Sequence, residues 1–426
     1  MGASFLSELA RRNRHNLRTL RESPVAEISG ALGDLGTLLP LMIALALQGS
    51  IDLSSTLVFS GLFNIVTGAV FGIPLPVQPM KAIAASALSS PLSLSVTTAL
   101  GALVSLAVLV LSLTGALRLL TTHIPVPVIK GIQLGAGLRL VTSGAALILP
   151  LAWLAPPLDS RASTLLAFLL LLLTQRAPRF PSALLLFTLG LAVALLLPTL
   201  TLTPPSPLSF ITTITTNHWP FRLYPPQFTP QSLATALAQL PLTTLNSILA
   251  VPPLALSLLP DLPAAPPSVT ALGLSVAAMN LAGCAFGAMP VCHGAGGLAG
   301  QHRFGARSGA SVVVLGVGKV VLGVVNIMSE SEGKGKGKGG VLGVLGRFPR
   351  GVLGVMVIAA GLELGKVGAG VNVGTGGEEE RWREIGKAEQ EERWMVMMVT
   401  AAGILAFKND AVGGQSLDGR EWLIIV

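Results

Sequence analysis

Two short segments of this chain place anion-binding chemistry where a membrane-buried helix would be broken. One reads Pro76-Val-Gln-Pro-Met-Lys81, the other Pro290-Val-Cys-His-Gly-Ala-Gly-Gly297. Proline fixes φ and suits an extended lead-in or a first helical turn. Glycine lets a backbone come close to a ligand. The pattern predicts an extended approach through Pro74 and Pro76 that turns helical near Gln78 and Pro79, and a matching break at Pro290. A helix that starts there carries unpartnered N–H groups in its first turn. Its dipole adds roughly half a positive charge. Two such starts facing each other would hold an anion without a dedicated cation. The candidate binding residues are Gln78, Pro79, Met80 and Lys81, then Pro290, Val291, Cys292, His293, Gly294, Gly296 and Gly297. Thr243, Thr244 and Asn246 add neutral donors. Many neutral donors suit a tetrahedral oxyanion, and Lys81 or His293 would help to neutralise a dianion. Both also have structural readings. Lys81 could pair with Asp34, and His293 could bond a backbone carbonyl.

The surrounding elements must lie in a membrane. The 426 residues are 51% hydrophobic and only 11% charged, with a mean hydropathy of +0.72. Soluble domains carry about 25% charged residues, so an ordinary soluble enzyme and a disordered chain are both excluded. Apolar stretches fall near 25–48, 51–73, 76–90, 95–119, 125–142, 143–157, 162–175, 182–200, 231–259, 268–287, 289–300, 308–328, 341–364 and 393–408. Several are shorter than the ~20 residues a span needs. With 48 glycines and 30 prolines, interrupted helices are expected. The reading is an all-α, multi-pass integral membrane protein.

The net charge of +8 sits mostly in short loops, so membrane topology explains it better than nucleic acid does. Residues 1–24 read as an Arg-rich cytosolic tail, with an organelle transit peptide as the other reading. Cys284 and Cys292 make neither a disulfide framework nor a metal site. No metalloprotease, nucleophile-elbow or paired-aspartate motif points to an enzyme. Rings of charge expected of a channel are not evident. No cofactor is expected. Lys130, Arg139, Lys319 and Glu363 read as snorkelling residues near helix ends, with Asp34, Arg139 and Glu363 as candidates for ion pairing or coupling.

The halves look related. In IPVPVIKGIQLGAGLRL and FPRGVLGVMVIAAGLEL, Pro125 meets Pro349, Val128 meets Val352, and Gly137-Leu138 meets Gly361-Leu362. Pro76-Val77 likewise matches Pro290-Val291. The first repeat spans 25–200 and the second 231–408, joined by a Pro-rich loop at 201–230. A low-complexity loop at 329–340 and a charged loop at 376–393 interrupt the second repeat. Seven segments per repeat would invert the second relative to the first. Inverted repeats with paired broken helices point to a secondary transporter with its site at the breaks.

These residues resemble the eukaryotic molybdate transporter family, a branch related to SulP-type sulfate permeases. The resemblance rests on EISGALGDLGTLLPLMIALA, GIPLPVQPMKAIAA, QLPLTTLNSILAV, GAMPVCHGAGGLAGQHRFGAR and FPRGVLGVMVIAAGLEL, and covers most of 25–365. It implies a seven-plus-seven inverted-repeat fold with core and gate domains drawn from both repeats. It also implies a substrate held between the third and tenth segments, and molybdate as that substrate. Thr37 and Gln239 then join Thr243, Thr244 and Asn246 as lining residues. Sulfate is the alternative, because no residue pattern separates the two dianions. The partners are molybdate and the lipid bilayer, with no nucleic acid and a homodimer left open. Plasma membrane and an internal membrane such as the vacuolar one are both compatible. The tail at 409–426 is too polar and short to span, so a last helix is expected to be missing or remodelled.

Overall fold

The computed structural model describes residues 2–80, 83–84, 87, 92–123, 125–156, 158–174, 182–196, 221–262, 265–331, 341–366, 371 and 386–406. The calls on Lys81, on most of the 201–230 and 329–340 loops and on 409–426 lie outside them.

The described chain begins with α1 (Gly2–Glu22), ahead of the first repeat, then α2 (Pro24–Ala31) and α3 (Leu35–Leu47), joined by a 3-10 turn at Leu32–Asp34. Next come α4 (Leu53–Phe71), β1 (Val77–Pro79), α5 (Leu94–Leu113), α6 (Ala116–His123), α7 (Val126–Ile148), α8 (Arg161–Leu173) and α9 (Ser182–Leu196). The second repeat holds α10 (Pro230–Pro241), a π-helical stretch at Leu242–Leu249, and α11 (Val251–Leu258). It continues with α12 (Val269–Gly283), β2 (Val291–His293), α13 (Ala295–Arg303), α14 (Ala310–Ser331), α15 (Val341–Leu345), α16 (Arg350–Lys366) and α17 (Lys387–Ala406). Among the described residues six helices are long and apolar enough to cross a membrane.

Local chemistry sets the boundaries. Asp52 caps α4 by accepting from the Ser55 N–H at 2.7 Å, and Gly72 ends it at φ +69°. Ser93 and Ser268 cap α5 and α12 in the same way. The stretches expected at 125–142 and 143–157 are not two helices: α7 runs on from the first into the second and ends at Ile148. No breaker separates Thr142 from Gly144, and the helix continues because it packs closely on α16. The 341–364 stretch instead divides at Phe348–Pro349, where proline cannot continue the preceding turn.

Lipid tails are as apolar as leucine, so close backbone approach has to hold membrane helices together. Glycine supplies it here. On α4 and α14, a Cβ at Gly61 would stand 2.7 Å from the Gly316 carbonyl, and Gly68 lies equally tight against Gly309. On α7 and α16, Gly137 faces Gly361 and Gly144 faces Gly354, at 2.7 and 2.6 Å. As the number rises on one helix it falls on the other, so both pairs are antiparallel. The pair that the repeat relates to α4–α14 is α12–α5, where Gly273 meets Ser112 and Gly101 meets Cys284 just past the end of α12.

The Arg-rich start is a helix docked on the ends of α4 and α14. Asn16 donates to the Gly68 carbonyl at 3.0 Å and accepts from the Gly309 N–H at 2.9 Å. Arg12 donates to the Val70 carbonyl at 2.6 Å. At another edge, residues 221–227 return over the bundle: Phe221 packs on Phe59, and the Tyr224 N–H donates to the Ala285 carbonyl.

Candidate functional site

The two broken segments meet as an antiparallel strand pair. Val77 lies opposite His293, Gln78 opposite Cys292, and Pro79 opposite Val291, and all six residues are buried. The ladder is closed by the Met80 N–H to the Pro290 carbonyl at 2.9 Å and the Gly294 N–H to the Pro76 carbonyl at 3.2 Å. The extended backbone follows from sequence: Leu75, Gln78 and Met289 each precede a proline and are pushed out of the helical region. The expected helix start near Gln78–Pro79 is therefore displaced. Strand pairing carries the chain through Pro79, and a helical turn follows with the Ala84 N–H bonded to the Met80 carbonyl at 2.9 Å.

The second half-helix, α13, starts at Ala295. Its N-cap is Gly294, in extended conformation and with no side-chain cap. Gln78 lies across this helix start. A Cβ on Gly294 would collide with Gln78 Oε1, and one on Gly297 with Gln78 Nε2. Both glycines are there because the carboxamide needs the space. Gly296 faces the other way, where a Cβ would stand 2.8 Å from Leu140 of α7.

Alternation along a strand sends neighbouring side chains to opposite faces. Gln78 and Cys292 share one face, and the Ser247 hydroxyl bonds Cys292 Sγ there at 3.3 Å. His293 falls on the other face. Its Nε2 meets Ser275 Oγ at 3.0 Å, and its ring stands edge-on to Phe71. His293 is thus a strand residue directed at α12 and α4, not a member of the first turn of α13.

Gln239, Thr243, Thr244, Asn246 and Ser247 lie beside this face. Gln239 Oε1 accepts from the Ile83 N–H at 3.4 Å, capping the turn after β1, while its Nε2 donates to Thr243 Oγ1 at 2.9 Å. Thr244 donates back to the Leu240 carbonyl in its own helix at 2.9 Å. Asn246 keeps a buried Oδ1 with no partner among the described residues. Pro241 sits inside this helix and the π-helical stretch follows it. Such bulges recur at functional sites. Met80 and Pro290 are buried in the strand ends. Thr37 lies on α3, Asp34 in the 3-10 turn and Glu363 near the end of α16; Arg139 is half-buried in α7.

Two residues that hold the strands escaped the sequence reading, and a third was assigned another role. Asn64 of α4 accepts the Val77 N–H at 2.8 Å. Asn280 of α12 accepts the Val291 N–H at 2.7 Å and donates to the Val291 carbonyl at 2.6 Å. Lys319 is the third, and its assignment as a snorkelling residue is corrected. It lies in the middle of α14, is 4% exposed, and donates to the Val77 carbonyl at 3.3 Å. The helix runs on to Ser331, so the side chain has no near membrane surface to reach. An intramembrane Asn or Lys near a proline-broken segment was the available signal.

Residues 26–140 and 231–364 match a family model described as "Molybdate transporter of MFS superfamily". The matched stretches together make up more than half of the chain and include both strands. The chain belongs to the molybdate transporter family. Among its curated relatives, Molybdate transporter 2 of Arabidopsis thaliana is 38% identical over 84% of this chain and 82% of its own. Molybdate transporter 1 of the same plant is 36% identical over 84% and 83%. A Chlamydomonas reinhardtii Molybdate transporter 1 is 32% identical over 80% and 83%. Among solved structures, the transmembrane domain of the cyanobacterial bicarbonate transporter BicA superposes with a TM-score of 0.52. That match covers 91% of this chain and 97% of BicA's domain at 16% identity. This family member therefore has the seven-plus-seven inverted-repeat transporter fold and is a multi-pass integral membrane protein.

Proposed function

We propose that the chain moves molybdate across a membrane by alternating access and binds it on the Gln78–Cys292 face of the strand pair. The observation that carries this reading is the pairing of two broken segments, one from each repeat, with α13 starting just after β2 and the Ala84 N–H bonded back to the Met80 carbonyl after β1. Free N–H groups at a helix start attract an oxyanion. The extended Gly294, with no side chain to cap α13, leaves that start to an incoming ligand. Gln78 supplies a neutral carboxamide directly over it. Gln239, Thr243, Asn246 and Ser247 line the adjoining wall. The core comprises the strand pair with α4, α5, α12 and α14. The gate comprises α7 and α16, and Gly296 against Leu140 is where α13 meets it. Sliding there would expose the face to alternate sides.

The test is labelled molybdate uptake into proteoliposomes containing the purified chain, with and without excess sulfate. Uptake that resists sulfate and disappears in Gly294→Val supports the reading. Sulfate transport with weak molybdate competition would replace the substrate. Normal uptake by Gly294→Val would remove the site.

A further inference from the structure

The inverted repeat supplies its own control for the role of Lys319. In the second repeat one neutral residue, Asn280, takes both backbone groups of Val291, the N–H at 2.7 Å and the carbonyl at 2.6 Å. In the first repeat the equivalent strand residue is Val77, and Asn64 occupies the corresponding place on the preceding helix. Asn64 accepts the Val77 N–H at 2.8 Å but does not close the clamp. Its Nδ2 is buried and has no partner among the described residues. The Val77 carbonyl goes instead to the ammonium of Lys319, on a helix from the other repeat.

A neutral amide therefore suffices for this hydrogen bond, as the second repeat demonstrates. A lysine at 4% exposure in a membrane segment is costly. The first strand carries that cost although Asn64, wholly buried beside it, has an amide to spare. What a lysine brings to this bond and an amide does not is charge. Even two helix starts together would offer only about one unit of positive charge. A doubly charged oxyanion needs about one more, and a neutral clamp on both strands would not supply it.

We infer that Lys319 sets the charge preference of the site: it is a positioning residue that holds β1 and adds the positive charge that favours a dianion over a monoanion of the same shape. This rests on the placement of the anion at the strand pair proposed above. Lys319 acts through the strand and need not touch the ligand.

The test compares two tetrahedral oxyanions of similar size and different charge, molybdate and perrhenate. Binding of each is measured on the purified full-length chain in nanodiscs, for the wild type, Lys319→Gln, Lys319→Met and Lys319→Arg. A unit charge about 10 Å from the ligand, at an effective dielectric near 20, shifts a dianion relative to a monoanion by about tenfold. The molybdate-to-perrhenate affinity ratio should thus fall by about that factor in the Gln and Met variants and hold in Arg. Both neutral variants should fold, since Asn64 Nδ2 can take the Val77 carbonyl as Asn280 takes that of Val291. A parallel loss for both anions, or neutral variants that fail to fold, overturns the inference and makes Lys319 a structural residue. Gly294→Val separates the two claims: if it binds both anions normally, the strand-pair site is wrong, whatever the Lys319 ratios show.

Discussion

Gly137 and Gly361 occupy equivalent positions in the two repeats and lie against each other, each where a Cβ would stand 2.7 or 2.6 Å from the other's carbonyl oxygen. A contact between a residue and its own repeat mate lies on the axis relating the repeats. The α7–α16 pair is thus centred on that axis. Seven residues along, Gly144 and Gly354 repeat the contact.

Replacing either axial glycine should separate these helices. Gly361→Leu should lower thermal stability in detergent by the equivalent of about 1–3 kcal/mol, the usual cost of overpacking. Uptake should fall with it. Gly403, with nothing within 4 Å of a Cβ, is the control. Equal melting of Gly361→Leu and Gly403→Leu would show that the close approach is not needed.

The Gln78 carboxamide and the glycines beneath it should be sensitive to volume. Gly297→Val should abolish molybdate uptake at near-normal expression, because its side chain enters the space of Gln78 and Pro76. Pairing it with Gln78→Ala should recover part of the uptake if crowding is the cause. No recovery in the double variant would instead make Gln78 itself indispensable.

Asn280 is a structural clamp as well as part of the site's frame. Asn280→Ala leaves the Val291 N–H and carbonyl without their partner in a buried place. Each unsatisfied group costs about 1–3 kcal/mol. We expect a large loss of folded protein on size-exclusion chromatography, well beyond that of Lys319→Gln. A well-folded, active Asn280→Ala chain would contradict the clamp.

Docking of α1 should depend on pH. His15 is half-buried, and burial lowers its pKa below the ordinary 6.5, opposed by a hydrogen bond with the Arg307 backbone and the charge of Glu22 and reinforced by Arg18. A depressed histidine pKa means the undocked helix binds protons more readily. The docked state is therefore fully favoured above pH 6.5 and weakens as pH falls through the lowered value. Amide exchange over residues 10–22, corrected for intrinsic rates, should speed up on acidification. His15→Gln should flatten that response, and an unchanged pH profile in this variant would place the cause elsewhere.

Sequence alone settled the membrane setting and pointed to the repeat and to its two broken segments. The hydropathy pattern requires spans, and the matching proline-broken segments required only a comparison of residues 76–81 with 290–297. The match of Gly137-Leu138 to Gly361-Leu362 could be read in the same way, before anything showed that the two glycines touch. These features are local or periodic, so they survive in one dimension. Helix ends were less legible: α7 reads as two stretches because glycines within it look like breaks, and only its packing on α16 shows otherwise.

Tertiary structure decided which face each candidate takes and which distant groups hold it. Strand pairing turns Gln78 and Cys292 to one side and His293 to the other, a parity that shifts with a one-residue change of register. Lys319, 242 residues from Val77, becomes part of the site only when α14 is laid beside β1. A hydrogen bond between residues that far apart leaves no periodic trace along the chain, because it depends on how helices pack and not on the order in which they occur.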